Sequence, residues 1–454
     1  MVLYEGEGMN LRERILNGDS TIGIVGLGYI GFSTAAHYAN AGAKVIGVDL
    51  DKAKVESFNQ GTVYIDNIEY WLGFDYAPLV TKYKRASASS SFKDLEKCDV
   101  VFVAIPTEKD GEPYMAILES VVRDLSSVVP HECLIIVEST MTPGTTQSVV
   151  VQGFENHNRS DVLIAVAPRR DWFVAGTGHT VKSIPRVTGS STEKGASQAK
   201  DVLSMVCDQV IVADSHWEAE MIKSVENAYR HLDITLANQL ALANPDVNMR
   251  QVLNLVGTKW NINSYHPNLG VGGYCIAPAS KYVLGGVKHP EVVTVLQKSV
   301  EFTSNMAKTY SDLFNDHNEI LVMGLAYKGG LKVDILSPGR EICWELLDRN
   351  KNVYLDDPMY TDQEMIQIVG EDVRPVEFLE SLNNKDLILI TADHMEYRLP
   401  YQELKGKMSP GTIVLDVYGM WKQHQARLAD EGVSYVLLGE RGWMDIVTSS
   451  KESD

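Results

Sequence analysis

The stretch "STIGIVGLGYIG" (20–31) constrains the fold more than any other part of the chain. A short β-branched strand runs into Gly26-x-Gly28-x-x-Gly31, and the helical segment "FSTAAHYANAG" that follows stops at Gly42, a residue suited to ending a helix. The next strand, "KVIGVDLD", delivers Asp49 eighteen residues after Gly31. Glycines at this spacing let the backbone and a helix N-terminus approach a pyrophosphate, while the acid accepts hydrogen bonds from ribose hydroxyls. The ordered series of strand, glycines, helix, strand and acid therefore predicts a dinucleotide-binding unit. An acid at position 49 selects NAD over NADP, because a carboxylate repels a 2′-phosphate.

Further strand–helix units extend this one. "CDVVFVAIPTE" (98–108) and "CLIIVESTMTPGTTQ" (133–147) are apolar strands ending in Pro, Thr and Ser, where an open parallel sheet places its ligand-contacting loops. After "VLIAVAPRRDWF" the pattern changes: "SHWEAEMIKSVENAYRHLDITLANQLALA" (215–243) keeps helical spacing along its whole length, as expected of a helix that links domains and lines a subunit interface. A second alternating region begins at "NEILVMGLAYKGG" (318–330) and closes with "GTIVLDVYG". The expected fold is α/β, with two Rossmann-like parallel-sheet domains joined by a long central helix. The boundaries fall at 1–212 for the NAD-binding domain, including an extension over 1–19, then 213–312 for a central helical domain and 313–454 for a second sheet domain.

Composition excludes several other classes. The 454 residues, 44% of them apolar, can fill about three domains. The longest apolar runs are too short to span a bilayer and the N-terminal twenty residues are too acidic for a signal peptide, so a soluble cytoplasmic protein is expected. Five scattered cysteines without a CxxC pair argue against a disulfide scaffold or a zinc site, and no metal is expected. A net charge of −19 disfavours nucleic-acid or acidic-membrane binding.

Taken in order, "GIVGLGYIG", "VAIPT", "ESTMTPGTT", "EAEMIKSVENAYR", "GVGGYC", "GLAYK", "SP" (337–338), "DDP" (356–358) and "TADH" make the chain resemble the UDP-glucose/GDP-mannose dehydrogenase family over most of its length. The resemblance implies a two-step, four-electron oxidation of a nucleotide-sugar C6 hydroxyl to a carboxylate, for polysaccharide biosynthesis. Two NAD molecules are reduced in turn, and the aldehyde is carried as a thiohemiacetal and then a thioester on a cysteine. It also implies a homodimer or a larger homo-oligomer.

Aligned on "GVGGYC", Cys275 falls at the family's nucleophile. A thiolate adds to an aldehyde, and the thioester that follows is activated for hydrolysis; the residues alone leave Cys275 equally a small residue filling a tight bend. Lys223 and Asn227, four apart on one helix face, match residues thought to hold the C6 oxygen and a water, although such pairs also occur as a solvated polar stripe. Thr140 matches a threonine near the nicotinamide, Thr107 a cofactor contact, and Tyr29, Ile30 and Lys54 join Gly26, Gly28, Gly31 and Asp49 in the cofactor-binding set. On the substrate side, Lys328 matches a lysine near the diphosphate, and Lys259 stands where some members carry an arginine reaching the partner subunit's substrate. Tyr265 and Gly272 lie in "GTKWNINSYHPNLGVGG", which resembles the branch acting on UDP-N-acetylhexosamines; its aromatics could equally be core.

Three positions depart from the family. Ala279 replaces an aspartate four residues after the cysteine, Arg169 replaces a glutamate assigned to thioester hydrolysis, and Ile335 replaces an arginine credited with cofactor contact. Arg169 is read here as a substrate contact and Asp171 as the substitute base. The departures leave two alternatives beside full oxidation: a related oxidation with another outcome, such as an aldehyde product or a different nucleotide-linked alcohol, or a non-catalytic nucleotide-sugar-binding paralogue.

Overall fold

A computed structural model describes residues 10–65, 68–171 and 178–449; the first nine residues of the N-terminal extension lie outside them. Two compact units are present: Met1–Glu226 with Lys281–Lys288, and Asn227–Ser280 with His289–Asp454.

In the first unit the strands are β1 (Thr21–Val25), β2 (Lys44–Val48), β3 (Ala86–Ser89), β4 (Cys98–Val103), the short β5 (Glu108–Lys109) and β6 (Glu112–Pro113), β7 (Leu134–Val137), β8 (Leu163–Val166), β9 (Arg186–Ser190) and β10 (Val210–Val212). Eight of them form one sheet in the order β10-β9-β8-β7-β4-β1-β2-β3. It is parallel throughout except where β9 runs antiparallel to β8. The order reverses between β1 and β4, and an open α/β sheet binds ligands at the carboxyl ends of the strands at such a switch point. Both faces are covered: Ile22, Ile24, Val100, Phe102, Leu134 and Ile136 pack on one side, and Val101, Val103, Ile135 and Val137 on the other. That two-sided burial explains why these strands read as continuous apolar runs rather than alternating ones. Within the extension, the helix Leu11–Asn17 is held by a capping box between Asn10 and Glu13 and buries Leu11 and Ile15.

The second unit repeats the scheme with β11 (Glu319–Met323), β12 (Asn352–Asp356), β13 (Arg374–Pro375), β14 (Leu387–Ile390), β15 (Ile413–Asp416) and β16 (Ser434–Leu437), parallel in the order β13-β12-β11-β14-β15-β16. Ile320, Val322, Leu387 and Leu389 face one layer, and Leu321, Met323, Ile388 and Ile390 the other. The long helix spans His216–Ala243, 28 residues, within one residue of its sequence-predicted start. Two parallel sheets and a long helix between them in the chain are the architecture expected from the sequence.

Candidate functional site

The glycine loop of the first unit is shaped by close backbone approach. Gly26 has φ +87°, and a Cβ there would lie 2.3 Å from the Ala104 carbonyl oxygen; a Cβ on Gly31 would lie 1.8 Å from the oxygen of Gly26. Neither position admits a side chain. Gly28 differs, since a Cβ there would meet nothing within 4 Å. It caps the helix Tyr29–Asn40 without a side chain of its own, so Tyr29 and Ile30 begin a helix whose N-terminus lies at the end of the glycine loop, where helix ends favour anions. Asp49, half-buried, accepts from the Leu27 amide at 2.7 Å and the Asp51 amide at 2.9 Å, which fixes its carboxylate beside the loop. Lys54 is half-buried on the next helix, Lys52–Gln60. These residues fit a dinucleotide: open space at Gly28, a helix N-terminus at the end of the glycine loop and a fixed acid.

At the ends of β4 and β7, Thr107 Oγ1 donates to the Thr140 carbonyl at 2.5 Å, and the Tyr282 hydroxyl donates to the Thr107 carbonyl at 2.9 Å. The two sequence-predicted threonines are thus brought together, with Tyr282 an unforeseen third member. Lys223 is half-buried on the long helix, one turn before Asn227. On that helix Glu220 accepts from the amides of Gly144 and Thr146, both at 2.8 Å, and so holds the loop after Thr140.

Arg169 and Asp171 are placed otherwise than expected. Arg169 donates through Nε and Nη2 to both oxygens of Asp171 at 2.7 Å, and to Thr34 Oγ1 at 2.8 Å and Ser33 Oγ at 3.1 Å. Its guanidinium lies over the Trp71 ring. Thr34 donates in turn to Glu138 at 2.6 Å, and Glu138 is paired with Arg186. All four charged residues are buried. Burial works to raise the Asp171 pKa, but the Arg169 charge and hydrogen bonds outweigh it and hold it at about 2. A carboxylate so engaged and held at so low a pKa lacks the basicity for proton abstraction near neutral pH, and an arginine spent on four protein acceptors has little left for substrate. The pair ties the loop after β8 to the helix Tyr29–Asn40 instead. Glu138, in "VEST", was the overlooked signal: an acid directly after a fully apolar strand needs a cation.

In the second unit, Cys275 is the one exposed cysteine of the five; Cys98, Cys133, Cys207 and Cys343 are buried. Burial pushes the Cys98 and Cys343 thiols up to about 12. Cys275 sits in a turn before the helix Ala279–Gly286, and the buried Asn227 amide donates to its carbonyl at 3.1 Å. Ala279 is buried, so no acid stands there. Gly272 belongs to the same turn. Lys328 is half-buried on the loop after β11, whose amides are clamped by acids: Leu325 and Ala326 donate to Asp357 at 2.7 and 2.8 Å, and Gly329 to Asp393 at 2.8 Å. Lys259 is exposed and Tyr265 half-buried; among the described residues no side-chain hydrogen bond or ion pair joins either to Cys275. Among the described residues no group of three or more His, Cys, Asp or Glu could hold a metal ion, and no helix is long and apolar enough to cross a membrane.

The first sheet, with its glycine loop and fixed acid, is that of an NAD-binding protein. Models of the UDP-glucose/GDP-mannose dehydrogenase family match residues 20–205 as the NAD binding domain, 217–305 as the central domain and 321–423 as the UDP binding domain. The chain belongs to this family of NAD-dependent nucleotide-sugar dehydrogenases. It is 27% identical over 445 residues to a UDP-N-acetyl-D-mannosamine dehydrogenase of Methanococcus aeolicus, covering 91% of this chain and 96% of the relative. An NDP-N-acetyl-D-galactosaminuronic acid dehydrogenase of Ralstonia nicotianae is 25% identical over 433 residues, 88% of this chain and 96% of its own. The fold matches a solved UDP-D-ManNAc dehydrogenase of Pyrococcus horikoshii with a TM-score of 0.77 at 24% identity, over 93% of this chain and 99% of that one.

Proposed function

We propose that this enzyme oxidises C6 of a UDP-linked hexose or N-acetylhexosamine to the carboxylate, with Cys275 as nucleophile. NAD, held at Gly26, Gly28, Gly31 and Asp49, supplies the two-electron acceptor for each oxidation. The Cys275 thiolate adds to the aldehyde carbon, oxidation of that thiohemiacetal leaves a thioester, and water cleaves it to acid and thiol. Lys223 and Asn227 stabilise the negative charge that develops on oxygen, Thr140 and Thr107 line the cofactor, and Lys328 takes the diphosphate. The observation that carries this reading is that Cys275, the one exposed cysteine of the five, sits in a turn where its backbone carbonyl accepts from the Asn227 side-chain amide.

The named substrates of the relatives, UDP-N-acetylmannosamine and an NDP-N-acetylgalactosamine derivative, support an N-acetylhexosamine. The domain roles follow: 1–212 for cofactor, 213–312 for the catalytic helix and nucleophile, 313–454 for the nucleotide. We place the enzyme in the cytoplasm as a homodimer or larger homo-oligomer joined along the long helix, where Tyr229 and Leu236 stand exposed one above the other.

A second reading, slow deacylation or release of the aldehyde, is favoured by the engagement of Asp171 and the absence of an acid at Ala279. The test is the NADH formed per UDP-N-acetylhexosamine consumed, with intact-mass spectrometry during turnover. Two NADH and no adduct support full oxidation; an adduct on Cys275 identifies slow hydrolysis; one NADH with free aldehyde selects the second reading. Cys275→Ala should stop the second oxidation, and full activity in that variant would remove the thiol from the mechanism.

A further inference from the structure

The turn that carries Cys275 rests on the same loop that carries Lys328. Gly273 has φ +85°, and a Cβ built on it would lie 3.0, 3.1 and 3.2 Å from three ring carbons of Tyr327; a Cβ on Gly272 would lie 2.7 Å from Tyr327 Cβ and 2.9 Å from the Leu336 carbonyl oxygen. The Gly273 amide donates to the Ile335 carbonyl at 2.8 Å. Only glycine satisfies both the left-handed backbone and the absence of space. The flat face of Tyr327 therefore lies against the backbone two residues before the thiol.

The loop itself is pinned on either side of Tyr327. Ala326 is held by Asp357 and Gly329 by Asp393, while the Tyr327 amide closes onto the Val333 carbonyl at 3.0 Å. Between the anchors stand two residues, Tyr327 and Lys328. Leu336, at the far end of the loop, holds φ +50°, an uncommon conformation for a branched apolar residue. Tyr327, whose ring packs on the glycine turn, and Lys328 thus share one short backbone segment anchored at both ends.

We propose that Tyr327 is a positioning residue that transmits occupancy of the nucleoside-diphosphate site at Lys328 to the reactivity of Cys275. The thiol is brought to its reactive placement when the nucleoside-diphosphate part of the substrate occupies its site. This rests on the reading of Cys275 as nucleophile and Lys328 as a diphosphate contact.

The experiment uses the full chain and UDP, which lacks the hexose that would itself cover the thiol. Iodoacetamide alkylation of Cys275 is followed by peptide mass spectrometry with and without UDP, and UDP binding is measured separately by calorimetry. UDP should raise the Cys275 rate by about fivefold or more, the lower end of ordinary coupling between sites, and a slowing would count against the proposal. Tyr327→Phe should retain that response. Tyr327→Leu and Tyr327→Ala should still bind UDP but respond less than twofold, with thermal melts showing that each is folded. A wild-type rate indifferent to bound UDP, or a response preserved in the Leu and Ala variants, would overturn the proposal while leaving Cys275 as nucleophile. Failure of Cys275 to react faster than the four buried thiols, or failure of UDP to bind, would remove the reading beneath it.

Discussion

Arg169→Met puts the reassignment of the Arg169–Asp171 pair to a quantitative test. The substitution keeps the aliphatic volume but removes the cation from a carboxylate whose side chain is 2% exposed. Breaking one side of a buried ion pair costs about 3–5 kcal/mol, because the remaining charge keeps its desolvation penalty. The depressed Asp171 pKa, about 2 in the folded state against about 3.9 unfolded, points the same way and is of similar size, about 2–3 kcal/mol. Because the folded pKa is depressed, that stability is present above the unfolded pKa and is lost as pH falls through about 2. In Arg169→Met the sign reverses, since burial without a partner raises the Asp171 pKa above its unfolded value. The variant then loses stability as pH rises past about 4. Urea unfolding followed by circular dichroism should therefore show a deficit of about 3 kcal/mol or more at pH 7 that narrows markedly at pH 4.5. A deficit below about 1 kcal/mol, equal at both pH values, would refute the ion-pair account. So would an Asp171→Asn protein that folds with wild-type stability and has lost NAD reduction, because Asp171 would then be acting as a base.

Three further outcomes follow from the same geometry. Asp49, fixed beside the glycine loop, should give NAD at least about a tenfold advantage over NADP in kcat/KM; Asp49→Asn should narrow it, and an unchanged ratio would mean that another residue reads the ribose. Burial raises the Asp356 pKa to about 6 despite the Tyr397 hydroxyl at 2.8 Å, so its charged form opposes folding above that pH. Asp356→Asn should then be more stable than wild type at pH 8 by up to about 3 kcal/mol and indistinguishable at pH 4, and equal melts at both pH values would contradict this. Leu236→Glu on the long helix should convert the assembly to monomers in sedimentation at micromolar protein; an unaltered assembly would move the interface elsewhere.

The sequence by itself determined whatever depends on residues close together in the chain. The Gly26–Gly31 loop, its helix and Asp49 were legible because each physical requirement is met within about thirty residues. The apolar strands of both sheets and the helix His216–Ala243 were legible from periodicity for the same reason. Charge could not be placed that way. Arg169 aligned with a catalytic position and Asp171 with a substitute base, and the two pair with each other, yet Thr34, through which Arg169 is tied to the helix and to Glu138, lies 135 residues earlier. No local pattern predicts that a loop after β8 will fold under the helix of the first glycine loop and meet Glu138 and Arg186 there. The turn at Cys275 divides in the same way: its glycines were visible as a tight bend, but only the folded second unit supplies the Tyr327 ring that fills the space where their side chains would be. Backbone conformation is imposed by neighbours in sequence, whereas the pairing of a buried charge and the closeness of two backbones are imposed by whatever the fold brings alongside.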